Sequence, residues 1–358
     1  MAELDDYKPG DEAGSRPPRP RSLAFVARWE TLLLVLLGCT IAFGASVSPY
    51  FLQSTNLFYI CLNVGEVAIM ALPLTLIVIT GEIDLSVASM LGLTGVLMAE
   101  LFKHGWPIWP AMLAAIVLGM ILGAFNGFLV TRVGLPSLAV TIGTLTLYRG
   151  IAQGILPTDT IQVFEEPFSN IGVLPIHGTQ IAWSVLFFAI LAVVIGVVLH
   201  ATPLGRSIYA IGAGREAAFF AGIRVKRIKF WLFVLSGVLS GFAGILWTLR
   251  FASARYDSGA GQELLVVTIV LLGGISIFGG RGTIVGVMLA AAILGCLQTS
   301  MTLDQISAQN QNIVVGSLLI VSVVVPSAGD LYRRGRLRLR SALARRRRDE
   351  AAAAGEAA

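Results

Sequence analysis

Carboxylates are scarce among the apolar stretches of this chain, so the few present mark where chemistry could occur. Glu82 and Asp84 stand in I-V-I-T-G-E-I-D-L-S-V, from Ile77 to Val87, beside Thr80, Gly81 and Ser86. A carboxylate at bilayer depth costs roughly 2.5–3.5 kcal/mol on insertion scales, so it is rare unless partnered or facing water. Backbone that breaks a helix at that depth must be buried in protein or line a cavity. The stretch is therefore either a short loop at the membrane surface or part of a polar path through the protein. Glu66 is the other costly group, mid-span, with Asn63 three residues earlier on the same helical face. With Asn126, Thr141 and Thr144 they make a candidate path lined by amides and hydroxyls, which suits a neutral polar solute such as a sugar. Proton coupling through Glu66 competes with that reading, but no histidine or second acid stands at helical spacing from it.

Other chemistries find no support. There is no G-x-x-x-x-G-K-[ST], so the chain does not bind and hydrolyse ATP through a P-loop, and no G-x-S-x-G or H-E-x-x-H occurs. His104, His177 and His200 are scattered. The three cysteines, Cys39, Cys61 and Cys296, fall inside apolar runs and contain no C-x-x-C, which argues against a disulfide frame or a metal site. An enzyme is not expected, and no cofactor is expected to bind this chain.

The elements that must position these residues are membrane helices. Of 358 residues, 56% are hydrophobic and 13% charged, and the mean hydropathy is +0.80. Soluble domains carry about 25% charge, so the composition is that of a polytopic membrane protein. Apolar segments of about 20 residues recur at about 31–50, 57–80, 85–102, 108–131, 135–153, 180–200, 228–250, 262–278, 283–301 and 312–328, the third and eighth being short. With the N-terminus inside, 22 of the 26 Lys and Arg fall on inner segments; Lys103, Arg149, Arg250 and Arg255 are the exceptions. The expected fold is all-α: a polytopic bundle of about ten transmembrane helices with both termini cytoplasmic. The domain reading is a disordered basic cytoplasmic tail over 1–29, a transmembrane domain over 30–328, and a basic, then Ala-rich cytoplasmic tail over 329–358. Anionic lipid or topology anchoring accounts for the tail arginines, and nucleic acid is not an expected partner.

Two loops are long. The outer one, about 154–179, is acidic, with Asp159, Glu165 and Glu166. The inner one, about 201–229, is basic and carries glycines at 205, 212, 214 and 222. Positive-inside anchoring explains its charge. It does not explain the glycines, which favour a short helix docked closely into a partner's groove. Gly273, Gly274, Gly279, Gly280, Arg281 and Gly282 read as a tight re-entrant or interfacial turn. Small-xxx-small spacing at Gly119/Gly123/Gly127, Gly237/Gly241 and Gly282/Gly286 permits close helix contact in lipid. Residues 75–83 weakly resemble 267–275, each an apolar run ending in Gly-x-Ile.

Three motifs in order carry a resemblance that spans roughly residues 30–328. They are T-G-E-I-D-L-S-V (Thr80 to Val87), P-L-G-R-S-I-Y-A-I-G from Pro203 with A-A-F-F-A-G-I-R-V-K-R from Ala217, and V-L-L-G-G-I-S-I-F-G-G-R-G-T-I-V-G (Val270 to Gly286). The chain resembles the membrane permease subunits of bacterial ABC importers for monosaccharides, of the ribose, xylose, rhamnose and autoinducer-2 type. It departs at Glu82, where most of the family has glycine, and at Phe219-Phe220, where polar residues are commoner. The resemblance implies an extracytoplasmic solute-binding protein, a second permease subunit and separate cytoplasmic ABC ATPase subunits that use the ATP. In that scheme Ala217, Ala218, Gly222 and Ile223, in the loop that also holds Gly205 and Arg206, are the coupling contacts.

The charge count then places Gly81 to Asp84 at the cytoplasmic end of the second and third spans. Asp84 with Ser86 is expected to cap the third span, and Gly81, Glu82, Asp84 and Ser86 are expected to form a hinge.

Overall fold

The computed structural model describes residues 21–157, 160–161, 172–176, 179 and 181–324. The remainder of the N-terminal tail, the tail over 329–358 and the acidic residues of the loop at about 154–179 lie outside them. Among the described residues the chain is helical, apart from two isolated antiparallel bridges, Ile161 with Ala254 and Pro175 with Ala182. The helices are α1 (Arg21–Val47), α2 (Ser54–Ile79), α3 (Val87–Lys103), α4 (Ile108–Phe128), α5 (Ser137–Ile155), α6 (Trp183–Ala201), α7 (Pro203–Ala213), α8 (Arg215–Phe220), α9 (Val225–Arg250), α10 (Gln262–Leu272), α11 (Ile284–Leu303) and α12 (Ala308–Val324). A π turn, Leu129–Val133, extends α4.

Six of these are long and apolar enough to cross a membrane: α1 from Trp29, α2, α4 with its π turn, α6, α9 and α11. Helix α5 matches an expected span in place, and α3, α10 and α12 match in place but are shorter than those six. The span expected at 262–278 yields only eleven helical residues in α10, about 16 Å at 1.5 Å per residue. Gly273 and Gly274 stop it. The Gly274 N–H donates to Leu271 O (3.0 Å) and the Ile275 N–H to Val270 O (3.3 Å), with Gly274 at φ +85. Helix α1 begins at Arg21, inside the stretch expected to be an irregular tail; the last tail proline is Pro20, and Ser22 to Arg28 contains nothing that breaks a helix.

Helices α2 and α9 form the centre. Each has 26 residues, and they are the most buried of the long helices. They run antiparallel. Lys229, near the start of α9, meets Glu82 just beyond the end of α2, and Arg250, at the end of α9, meets Asn63 and Glu66 in the first half of α2. The segments that follow also correspond. Helix α4 opens I-W-P-A-M-L-A-A-I-V-L-G and α11 opens I-V-G-V-M-L-A-A-A-I-L-G. The stretches α2–α4 and α9–α11 are thus alike in order, with their long first helices running in opposite directions, and α7 and α8 precede α9. Residues 75–83 and 267–275 are not equivalent in this arrangement; what they share is a glycine-terminated helix end.

Helix α4 packs closely on α9. A methyl group at Gly119 would lie 2.4 Å from Gly237 O, one at Gly123 2.3 Å from Phe233 O, and one at Gly237 2.1 Å from Gly119 O. The small-residue spacing read in the sequence therefore brings the two backbones together, as helices lacking a hydrophobic drive in lipid require.

One face gathers the start of α1, the end of α2, the π turn, α7, α8, the start of α9 and the turn between α10 and α11. Trp29 Nε1 donates to Leu272 O (3.1 Å), Thr283 Oγ1 donates to Glu30 (2.8 Å), and the Gly280 N–H donates to Ile79 O (2.8 Å). We call this the basic face, since it holds Arg132, Arg206, Arg215, Arg224, Lys226, Arg227 and Arg281.

Candidate functional site

Helix α2 stops at Thr80 because Gly81 adopts φ +80, which lets the Gly81 N–H reach Val78 O (2.9 Å) and the Glu82 N–H reach Ile77 O (3.2 Å). The chain then continues extended and turns back into the bundle. The Ile83 N–H donates to Ser137 Oγ (3.1 Å) and Thr141 Oγ1 donates to Ile83 O (3.3 Å), fixing the segment to α5.

Asp84 is wholly buried. Its Oδ1 accepts from the Ser86 N–H (3.0 Å) and hydroxyl (2.6 Å), and its Oδ2 accepts from the Ser236 hydroxyl of α9 (2.8 Å). Asn126 Nδ2 donates to Ser86 Oγ (2.8 Å), and the Tyr148 hydroxyl donates to Asn126 Oδ1 (3.0 Å). Each polar group finds a partner, as burial demands. One network thus joins α3, α4, α5 and α9.

This corrects the placement of Asp84 at the end of the spans. Its α9 partner, Ser236, lies eleven residues beyond Val225, about 16 Å along the axis. The extended backbone after Gly81 carries Asp84 inward, while Glu82 stays behind at Lys229. The capping expectation also changes. Ser86 occupies the N-cap of α3 but makes no side-chain cap bond; its hydroxyl is spent on Asp84.

Glu66 is also buried, and its partner is Arg250. Arg250 Nη1 lies 3.1 Å from Glu66 Oε2 and 2.8 Å from Leu62 O, and Nη2 bonds Asn63 Oδ1. The three residues singled out as a path therefore form two clusters. Asn63 and Glu66 sit at Arg250, whereas Asn126 sits in the Asp84 network, whose Ser236 lies fourteen residues from Arg250, about 21 Å along α9. Lys229, Ser236 and Tyr148 were not singled out in the sequence. No local pattern marks them, since each is defined by a partner more than twenty residues away.

The inner loop folds into α7 and α8. Thr202 caps α7 by accepting from the Gly205 N–H (3.4 Å), with Pro203 in the first turn. Two of the loop's glycines, Gly205 and Gly212, are required by contacts within this chain. A methyl at Gly205 would lie 1.9 Å from Leu199 O, and one at Gly212 1.8 Å from Ile79 O and 2.3 Å from the Gly280 N. Gly212 and Gly280 thus let α7 and the glycine-rich turn close over the end of α2. Tyr209 reinforces this by donating to Gly282 O (2.7 Å), and burial pushes its phenol up to about 12. Thr283 accepts from the Gly286 N–H (3.2 Å) and caps α11. Among the expected coupling contacts, Ala218 is buried against Ile211 and Val225, so it holds α8 in place instead of facing outward. Ala217 and Gly222 are exposed, Ile223 is half-buried, and Arg206 is exposed. Phe219 and Phe220 are 66% and 85% exposed, a large apolar surface on an otherwise charged face.

The glycine-braced turns, the buried polar network between long apolar helices and the small amphipathic helices on one face describe a membrane transport scaffold. Residues 56–323 match the family described as "Branched-chain amino acid transport system / permease component". The chain belongs to this permease family. It is an integral protein of the cell membrane and a transport component, not an enzyme. The permease is 33% identical over 303 residues to the "Autoinducer 2 import system permease protein LsrD" of Escherichia coli K12, covering 83% of this chain and 91% of the relative. It is also 33% identical over 302 residues to LsrD of Klebsiella pneumoniae, covering 83% and 90%. The "D-allose transport system permease protein AlsC" of Escherichia coli K12 is 32% identical over 292 residues, covering 81% and 89%. No solved structure matches the permease.

Proposed function

We propose that the permease is the membrane-spanning subunit of an ATP-driven importer that moves a monosaccharide, of rhamnose or ribose type, into the cell. An extracytoplasmic solute-binding protein delivers the sugar, a second permease subunit completes the path, and cytoplasmic ABC ATPase subunits supply the work. Both termini and the basic face are cytoplasmic, with ten membrane segments. The relatives' import and sugar systems support the cargo class. The observation that carries the coupling is mechanical: α8 and the turn after it present Ala217, Gly222, Ile223 and the exposed Phe219–Phe220 pair, while Gly212 and Tyr209 of α7 bolt that platform to the end of α2 and the 273–283 turn. A push on the platform reaches Gly81 to Ser86, the hinge between α2 and α3.

The proton-coupled alternative loses its main support, because Glu66 is already engaged by Arg250. The test is capture of the ATPase by tagged permease, followed by sugar uptake with the binding protein. Phe220→Asp and Gly222→Trp should abolish capture and uptake while leaving the permease in the membrane. Full capture by both variants would overturn the platform. Sugar uptake by the purified chain alone, driven by a pH gradient without ATP, would overturn the importer.

A further inference from the structure

We infer that the permease holds the phosphate headgroup of an anionic phospholipid in a cleft between the π turn, α8 and the start of α9. The cleft, about 270 Å³, is lined by Thr131, Gly134, Pro136, Arg215, Lys226 and the Glu82–Lys229 pair. Glu82 is its one carboxylate, and Lys229 already engages it. Arg215 and Lys226 have no ion-pair partner among the described residues. Two unbalanced cations therefore converge on a polar cavity of headgroup size. Topology anchoring requires basic residues on this face, but it does not require them to share a cleft, and Arg206, on the same face, lies outside it.

The source of the anion follows from what adjoins the cleft. It shares Thr131, Arg215, Val225 and Lys226 with a wider groove that also exposes Phe128 and Trp231. From Phe128 an exposed apolar column continues along α4 through Phe125, Ile121, Val117 and Leu113, at three- and four-residue steps. Aromatic side chains beside basic ones mark the headgroup level of a membrane protein, and an exposed apolar column beyond them faces acyl chains. A soluble phosphate ester would use the cations but leave that column without a role. Arg215 stands at the start of α8, so an occupied cleft would brace the small helix that the coupling surface is built on. The inference rests on membrane embedding and not on the cargo proposed above.

Native mass spectrometry of the full chain in detergent tests this, by titration with phosphatidylglycerol, phosphatidylcholine or glycerol phosphate. Phosphatidylglycerol should bind, and the other two should not compete with it. Arg215→Gln with Lys226→Gln should weaken its binding about thirtyfold, while Arg215→Lys with Lys226→Arg should retain it; both variants should stay monodisperse. Equal phosphatidylglycerol binding by wild type and the Gln variant would overturn the site. Competition by glycerol phosphate at matched concentration would overturn the lipid assignment in favour of a soluble phosphate ester.

Discussion

Asp84→Ala is the most informative perturbation of the buried network. The carboxylate is inaccessible and accepts three hydrogen bonds, from the Ser86 N–H, the Ser86 hydroxyl and the Ser236 hydroxyl. Truncation strands these donors, each at about 1–3 kcal/mol if nothing replaces the acceptor. The Ser86 N–H belongs to the backbone entering α3 and cannot turn away. The two hydroxyls can rotate toward nearby backbone carbonyls, so they recover part of their loss. The expected cost is about 2–4 kcal/mol. Asp84→Asn keeps Oδ1 for both Ser86 donors and turns an amide toward Ser236, whose hydroxyl can accept; its cost should be about 1 kcal/mol. Thermal unfolding of purified protein in detergent, followed by tryptophan fluorescence, should rank wild type above Asn and Asn well above Ala. Ser236→Ala should add little to Asp84→Ala, since the shared bond is already lost. An Ala variant as stable as wild type would refute the network. An Asn variant as unstable as Ala would show that the charge, not the hydrogen-bond geometry, is what the site requires.

Arg250→Ala should cost about 3–5 kcal/mol, because it leaves the Glu66 carboxylate buried and unpaired; Glu66→Gln in the same chain should restore part of that loss in the same melting assay. Gly237→Leu should prevent assembly of the bundle, since even a methyl there meets Gly119 O at 2.1 Å with backbone on both sides, and size-exclusion chromatography should show aggregate in place of a folded peak. Tyr209→Phe should remove one hydrogen bond, about 1 kcal/mol. The Tyr209 phenol is raised above its ordinary value of 10 to about 12 in the fold. Its contribution is therefore complete below pH 10 and lost as pH rises toward 12, so wild type and Tyr209→Phe melting points should differ at pH 8 and converge at strongly alkaline pH.

Much of this permease is legible in its residues taken in order. Apolar run length places the helices, since burying backbone polar groups in lipid demands helices of about that length, and glycine spacing marks the α4–α9 contact because only glycine lets two backbones approach so closely. Thr80-Gly81 and Gly273-Gly274 mark helix ends because a left-handed residue is needed there. The likeness of α4 to α11 was also present in sequence, and not at the Gly-x-Ile ends, where a resemblance is easiest to see. Charge counting separates the two faces. It also leaves Lys103, Arg149, Arg250 and Arg255 as exceptions, and tertiary structure accounts for them. Lys103 lies 3.9 Å from Glu100, Arg149 donates to Tyr256 O and Ser258 O, Arg250 engages Glu66, and Arg255 pairs with Asp257.

The depth of a residue and the identity of its partner were not readable. The charge count carries no information about an irregular segment that turns back between helices, so it set Asp84 beside Glu82 at the ends of the spans, whereas Asp84 bonds Ser236 deep in α9. Composition likewise assigned the inner-loop glycines to a partner, when Gly205 and Gly212 are needed where the loop folds on its own chain. By itself, the sequence determined that this is a helical membrane protein and where most of its helices lie, because those follow from local hydrophobicity and backbone freedom, and its motifs carried the resemblance to permeases. Only the tertiary structure decided which buried charges are paired and which polar groups share a network, because those depend on partners brought together from distant helices.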